Sequence, residues 1–494
     1  MSYFEALSPG PNRSGAESPG SSIFDLPTQS GTGRNERPMP TPGVTASGDA
    51  FCDNASQREI SPSFLIISGG TGCNSICSAF GNACYVLPVS DDGGSSSEII
   101  RVLGGPSIGD IRSRLVRLIP PAPPTSSLDR IRNLLAYRLS AERSERDARE
   151  EWRDIVEGRS PLWSGIPNDR KEMIRGFLVY FESEVLKRAH KNFSFVNGSI
   201  GNYFLSAAQL FFRSLPSAIF LFSSITNSQA NIIPVIVTNH TVTIAAELEN
   251  GCRLVGQCEI SHPVGRPPSI NVLSSDEQDP DQLSPVDDLD GVVSSKWNMM
   301  FRAQDKSEYQ LLDARLSKLY YINAYGSEIH PSPNPDYITN MSLNDVLVYS
   351  CGSLWTSIIP CLALKGVARA IARSRSIRAK VLLLNSRNDR ETDGYTAVDY
   401  IKTIARTLNE SHHSPSYAGL GKADTTYPIS AFITHLVYLQ DTTVEVDEAQ
   451  ITALGVQCLR VNGVLDAKSG IPQFDADCVR EAMHRIISQT HTRE

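Results

Sequence analysis

Along most of the chain, apolar residues fall into short runs closed by Gly, Ser or Asp, and the spacing of those runs predicts strands alternating with helices. FLIIS (64–68) ends in Gly69-Gly70, YVLPVS (85–90) in Asp91-Asp92, DVLVYS (345–350) in a Gly-Ser turn and VLLLNS (381–386) in a polar loop. Runs of this length without polar alternation suit strands covered on both faces of a parallel sheet. FITHLVYL (432–439) and QCLRV (457–461) continue the series. Helices are predicted after Gly72, from Gly201 through NYFLSAAQLFF, up to Arg375, from about Val398, and over 475–488. The texture changes at PVIVTN, TVTIAAELENG and RLVGQCEIS. Their alternation by twos, with Asn250-Gly251 between the last two, predicts a small antiparallel hairpin insert with positive φ at both turn residues. The expected class is α/β, a doubly wound and mostly parallel sheet.

Residues 1–60 are rich in Pro, Ser, Gly and Thr and carry too few aliphatic residues to offset the entropy of ordering, which predicts a disordered tail. One domain is expected over 61–494, with mobile insertions at about 138–165, 263–295 and 409–428. The stretch AERSERDAREEWRDIVEGR is so charged that a solvated helix outside the core is expected. A formal charge of -8, from 46 Lys+Arg against 54 Asp+Glu, gives no basic footprint for nucleic acid. The longest apolar stretch, 210–225, is broken by Arg213 and Pro216 and is too short to span a bilayer. With no leader pattern and ten scattered cysteines, a cytoplasmic protein with reduced thiols and no membrane partner is expected.

Four loops at strand ends could carry chemistry. Gly69, Gly70, Thr71 and Gly72 follow the first strand, where glycines let the backbone approach a diphosphate. As G-x-G-x-x-G the fingerprint is incomplete, because Ser75 stands at the third glycine. Asp91 and Asp92 close the second strand, and such a pair could hold Mg²⁺ against phosphates, meet a ribose hydroxyl, or act as a general base. Ser95 and Ser96 follow, and Arg112 in GDIR offers a fork for phosphate or carboxylate. Gly352, Ser353 and Thr356 present amides and hydroxyls that could all face one anion, while Asn202 could read a base or sugar edge. Asp393 and Tyr395 sit at a further junction, where the tyrosine could stack on a ligand ring. In an open α/β sheet this edge is where ligands bind. Each loop also has a plainer explanation as a turn or helix cap. The histidines show no ligand spacing, and neither a P-loop nor a nucleophile elbow occurs. A nicotinamide-dependent oxidoreductase remains a minor alternative.

The order GGTG, DDGGSSSEIIRVLG, GDIRSRL, NGSIGN, CGSLWTSIIPCL and ETDGYTAVDYIK resembles the CofD-like proteins, and within them the YvcK-like gluconeogenesis-factor branch, from about Ser63 to Leu408. The resemblance implies a three-layer Rossmann-like fold and one of two activities. The first is binding of a nucleotide diphosphate or nucleotide sugar, typically a UDP-sugar, in regulation of carbon or cell-wall metabolism. The second is Mg²⁺-dependent transfer of a phosphorus-containing group, as in 2-phospho-L-lactate transferases. DDGGSS with GDIR favours the first. Carried over, Gly70, Thr71 and Gly72 would line the diphosphate and Asp91 and Asp92 the ribose, metal or acceptor. Asn202 and Ser353 would meet the nucleotide and Tyr395 the sugar or ring. The resemblance also implies a homodimer. Ser68, Gly198 and Trp355 depart from the bacterial pattern, where Gly, His and Tyr are usual, and the lost histidine counts against transfer by the bacterial scheme.

Overall fold

The computed structural model describes residues 62–70, 72–81, 83–229, 231–262, 311–413, 426–466 and 470–491. Thr71, the tail expected over 1–60, the insertion at 263–295 and the segment 414–425 lie outside the described residues.

In chain order the strands are β1 (Phe64–Ile67), β2 (Cys84–Leu87), β3 (Asn231–Pro234), β4 (Val242–Leu248), β5 (Arg253–Val255), β6 (Leu316–Asn323), β7 (Glu328–Ile329), β8 (Val346–Tyr349), β9 (Ala379–Leu383), β10 (His435–Leu439), β11 (Gln457–Val461), β12 (Val464–Leu465) and β13 (Pro472–Gln473), the last two forming a separate short pair. The helices are α1 (Gly94–Leu103), α2 (Gly109–Arg117), α3 (Ser127–Ala136), α4 (Glu145–Val156), α5 (Asn168–Leu186), α6 (Ile200–Phe212), α7 (Leu215–Ile225), α8 (Gln257–Ser261), α9 (Pro335–Asn340), α10 (Ile359–Leu362), α11 (Val367–Arg373), α12 (Ala397–His413), α13 (Glu448–Ala453) and α14 (Ala476–His491).

Seven strands form one sheet in the order β11-β10-β9-β8-β1-β2-β3, every pairing parallel. Every residue of β1, β2, β8, β9 and β10 is buried, as expected when helices cover both faces. Strand order runs outward in both directions from β1 and β8, so the chain reverses its winding between these two neighbours. In open α/β sheets this reversal is where a ligand crevice forms, beyond the carboxyl ends of the two strands.

The differences from the sequence reading have local causes. The run around PVIVTN does not join the antiparallel insert. Asn231–Pro234 extends the main sheet beside β2, at its edge, where a proline is tolerated. The insert is a four-stranded sheet, β5-β4-β6-β7, built partly from LSKLYYIN, which the reading passed over. The β4–β5 hairpin forms, but only Gly251 of its turn has positive φ. RLVGQCEIS divides into β5 and α8. No α-helix follows Gly72 either, since the chain makes turns and a single 3-10 turn at Cys77–Ala79.

The charged stretch 141–159 is the largest reversal. It holds α4, whose Ala148, Trp152 and Ile155 recur at helical spacing and are all buried. Trp152 stacks on Phe195 at 5.3 Å and meets Phe181 and Tyr203 edge-on, and its indole N–H donates to Glu182 at 2.5 Å. The arginines and glutamates occupy the opposite face, so the helix is amphipathic and its apolar stripe is core.

Candidate functional site

At the switch point the glycine loop after β1 meets the loop after β8 at backbone contact. A Cβ on Gly72 would lie 2.5 Å from the Cys351 carbonyl oxygen and 2.9 Å from Gly352 Cα. One on Gly70 would lie 2.2 Å from Asp110 Oδ1, and one on Gly69 the same distance from Ser357 Oγ. These glycines let two loops and the start of α2 close on each other. Gly352, at φ 142°, donates its N–H to Asn385 Oδ1 at 2.9 Å and accepts from Asn385 Nδ2 at 2.7 Å, which ties the β9 loop to the same point.

Beneath the glycine loop lies a group that sequence reasoning missed. Arg114 is fully buried and donates to Cys77 Sγ (3.0 Å), Ser68 Oγ (3.2 Å) and the Gly69 carbonyl (2.9 Å), with its guanidinium 4.7 Å from the Tyr85 ring centre. Burial alone would raise the Cys73 thiol. Interaction with the Cys77 thiol and the charge of Arg114 instead pull it down to about 5, and Cys77, whose Sγ donates to the Cys73 carbonyl at 3.1 Å, is pushed well up. The two thiols thus differ in proton affinity, and Arg114 lies beside both. The helical period of GDIRSRL was the available signal, since Ile111, Arg114, Leu115 and Leu118 share one face.

The two aspartates expected to act together are separated. Asp91 Oδ1 accepts the Gly93 N–H at 3.0 Å, and Oδ2 faces Gly109, whose Cβ would lie 2.8 Å away. Asp92 turns to the insert and caps α8, accepting the Cys258 N–H at 2.9 Å, with Gly256 leaving the space its carboxylate fills. The neighbour of Asp91 is instead Asp110, one residue beyond Gly109. Burial and the Asp110 charge raise Asp91 well above the usual carboxylate range. Burial likewise lifts Asp110 to about 6 despite Arg114 and the Gly70 N–H. Neither α1 nor α2 has a side-chain cap, and Ser96 Oγ reaches the start of α2. Two open helix N-termini thus flank the carboxyl pair.

Other expected groups are committed elsewhere. Asn202 is buried, with Oδ1 accepting from Arg112 Nε at 3.0 Å and Nδ2 donating to Ser95 Oγ at 2.7 Å, so its amide is spent on positioning and does not read a ligand edge. Burial and the nearby charge of Arg138 lower Arg112 to about 10. The group that the GSLWTS turn faces is the protein's own Glu391 carboxyl. Its carboxyl accepts the N–H groups of Trp355 (3.0 Å) and Thr356 (3.1 Å) and the Thr356 hydroxyl (2.7 Å), which removes Thr356 from ligand binding. Ser353 Oγ reaches Asp389 at 3.5 Å. Tyr395 is buried beneath Arg315, its hydroxyl accepting from Trp355 Nε1 at 3.3 Å, and it has no free face for a ligand ring. Asp393 is exposed. The place of the bacterial histidine is filled, since a Cβ on Gly198 would lie 1.8 Å from the Tyr203 hydroxyl.

Burial and the Asp389 charge raise Glu391 to about 8. A carboxyl raised on folding stabilises fully below its unfolded value, and that contribution is lost as pH rises through about 8. Glu391→Gln, which keeps an acceptor for the same amides, should therefore flatten the decline of melting temperature between pH 5 and 9. Parallel curves for the two proteins would contradict this account.

Residues 64–464 match the family described as 2-phospho-L-lactate transferase CofD. The chain belongs to the CofD family. An uncharacterised protein of Saccharomyces cerevisiae is 35% identical over 429 residues, covering 80% of this chain and 94% of the yeast protein. A protein of Halalkalibacterium halodurans named gluconeogenesis factor is 31% identical over 145 residues, 28% of this chain and 41% of its own length. The crystal structure of a upf0052 family member from Bacillus halodurans superposes with a TM-score of 0.54 at 18% identity, over 86% of this chain and 99% of that one. The CofD-family chain thus has the α/β, Rossmann-like fold expected of it, and its yeast relative fits a eukaryotic member. Among the described residues no single helix is long and apolar enough to cross a membrane.

Proposed function

We propose that the crevice between β1 and β8 binds a nucleoside diphosphate ligand of the UDP-sugar kind, with Mg²⁺ shared between Asp91, Asp110 and the phosphate oxygens. The observation that carries this reading is the half-buried pair Asp91 and Asp110 at the switch point, whose proton affinities are both raised. Two carboxylates forced together beside open helix N-termini are costly unless a cation joins them. Among the described residues no group of three or more acidic, His or Cys side chains forms a complete metal site. That suits Mg²⁺, which keeps its waters and takes one or two carboxylates together with substrate phosphates. Ser96 and the amides of the glycine loop complete the polar lining. The relatives named gluconeogenesis factor support a role in carbon metabolism.

A second reading, transfer of a phosphorus-containing group, is favoured by the raised proton affinity of Asp91. A carboxyl poised above its usual range can take the proton of an acceptor hydroxyl. Thermal-shift titrations with UDP-N-acetylglucosamine, UDP-glucose, GDP, GTP, NAD and NADP, with and without Mg²⁺, separate the two. Saturation with a UDP-sugar at 100 times its Kd should add about 2.7 kcal/mol. Asp110→Asn should abolish the Mg²⁺ dependence, and Asp92→Asn, which touches only the α8 cap, should retain it. A Mg²⁺-dependent shift with guanine nucleotides alone would favour the transferase, and no shift with any nucleotide would sink both readings.

A further inference from the structure

Several arginines of the helices α1, α3 and α4 and the turn before α4 sit on carboxylates. Arg101 pairs with Glu98, Arg132 with Asp129, Arg143 with Glu151 and Arg149 with Glu145. Arg112 and Arg138 do not. Arg112 is held through Nε on the Asn202 side-chain oxygen at 3.0 Å, and Arg138 through Nη1 on the Asn197 carbonyl at 3.0 Å. Both anchors are neutral, and neither guanidinium makes an ion pair among the described residues.

The surrounding backbone is shaped to hold these two side chains. Gly201 makes room for the Arg112 stem, since a Cβ there would lie 3.1 Å from Cγ and Cδ and 2.3 Å from the Leu135 carbonyl. The strand-like segment carrying Arg138 pairs with Ser199 across a single bridge, and the Leu139 N–H donates to the Gly198 carbonyl at 2.9 Å. Asn197, whose carbonyl takes Arg138, is left-handed at φ 58°. Arg112 is half-buried and Arg138 exposed, so one forms a floor and the other a rim. Asn202 joins Arg112 to Ser95 in the first turn of α1, just past Asp91.

Two neighbouring guanidinium groups, one half-buried and both without a carboxylate, call for an anion from outside. We infer that Arg112 and Arg138 form an oxyanion subsite that clamps a phosphoryl group of the ligand without help from a metal. This rests on the reading of the crevice as a site for a phosphorylated ligand and assigns it a second, metal-independent hold. The carboxyl pair repels a phosphate until a cation arrives, whereas the arginine pair attracts one at all times.

The test is calorimetric titration of the full chain with inorganic pyrophosphate in EDTA at low ionic strength. The wild type should bind, Arg112→Gln and Arg138→Gln should each weaken binding about tenfold or more, and the double variant should lose it. Arg112→Lys, which keeps the charge but not the fork, should rescue only part of the loss. Asp110→Asn, which removes one of the repelling charges, should bind pyrophosphate in EDTA more tightly than the wild type while losing the increment that Mg²⁺ brings. Arg138 is exposed, so the Arg138→Gln result does not depend on survival of the fold. Equal pyrophosphate affinity in wild type and double variant overturns the subsite, as does absence of wild-type binding in EDTA. Either result leaves a Mg²⁺-dependent shift with UDP-sugars free to stand. Malonate binding as tightly as pyrophosphate would overturn the assignment to a phosphoryl group.

Discussion

Trp152→Ala is expected to cost about 3–5 kcal/mol in a urea titration, the range for removing a large buried aromatic side chain. The indole touches three rings at once and satisfies its N–H on Glu182. Truncation opens a cavity among rings that cannot all collapse inward, because Phe181 and Tyr203 are already stacked at 4.5 Å. Trp152→Phe should recover more than half of the loss. The damage should also reach the crevice, since Tyr203 lies next to Asn202 at the start of α6. A measured cost below about 1 kcal/mol would return α4 to the solvated insertion that its composition suggests.

Arg114→Met is expected to destabilise the chain by about 3 kcal/mol or more, the scale for removing one partner of a buried ionic pair. Methionine fills similar volume but leaves the Gly69 carbonyl and the Ser68 hydroxyl without their donor and the cysteine pair without its counter-charge. The sign of the pH dependence follows from the lowered thiol. A group whose folded value is depressed stabilises above its unfolded value, and that contribution is lost as pH falls towards about 5. The difference between wild type and Arg114→Met should therefore shrink between pH 9 and pH 5. A difference that grows on acidification would mean that no thiolate is present.

Much of the sheet was legible because strands covered on both faces must be apolar throughout, and such runs stand out whatever surrounds them. β1, β8, β10 and β11 fall within runs read from the sequence, and β2 and β9 overlap theirs but begin one and two residues earlier. β3 was hidden by its position, since an edge strand ending in Pro234 looks like the start of a hairpin. α4 was hidden because charge density measures the wet face of an amphipathic helix and says nothing of the dry one.

The chemistry was legible by loop but not by partner. Asp91 and GDIR were both visible, yet the pairing of Asp91 with Asp110 depends on α2 starting beside β2. The diversion of Asp92 depends on α8, which arrives 166 residues later in the chain. Glu391 occupies the amides of a turn 35 residues before it, so a pattern that invites a ligand can already hold a carboxyl from its own fold. Arg138 sits in no motif, and only its convergence with Arg112 gives it meaning.

The contact between Gly72 and Cys351 spans 279 residues. During synthesis the glycine loop emerges long before the strand that closes the crevice. Contacts so distant along the chain form late, because the loop entropy must be met before they return any stabilisation. Fragments that end before β8 would therefore carry the glycines and both aspartates without the crevice, and ligand binding would appear only once the second half of the sheet has docked.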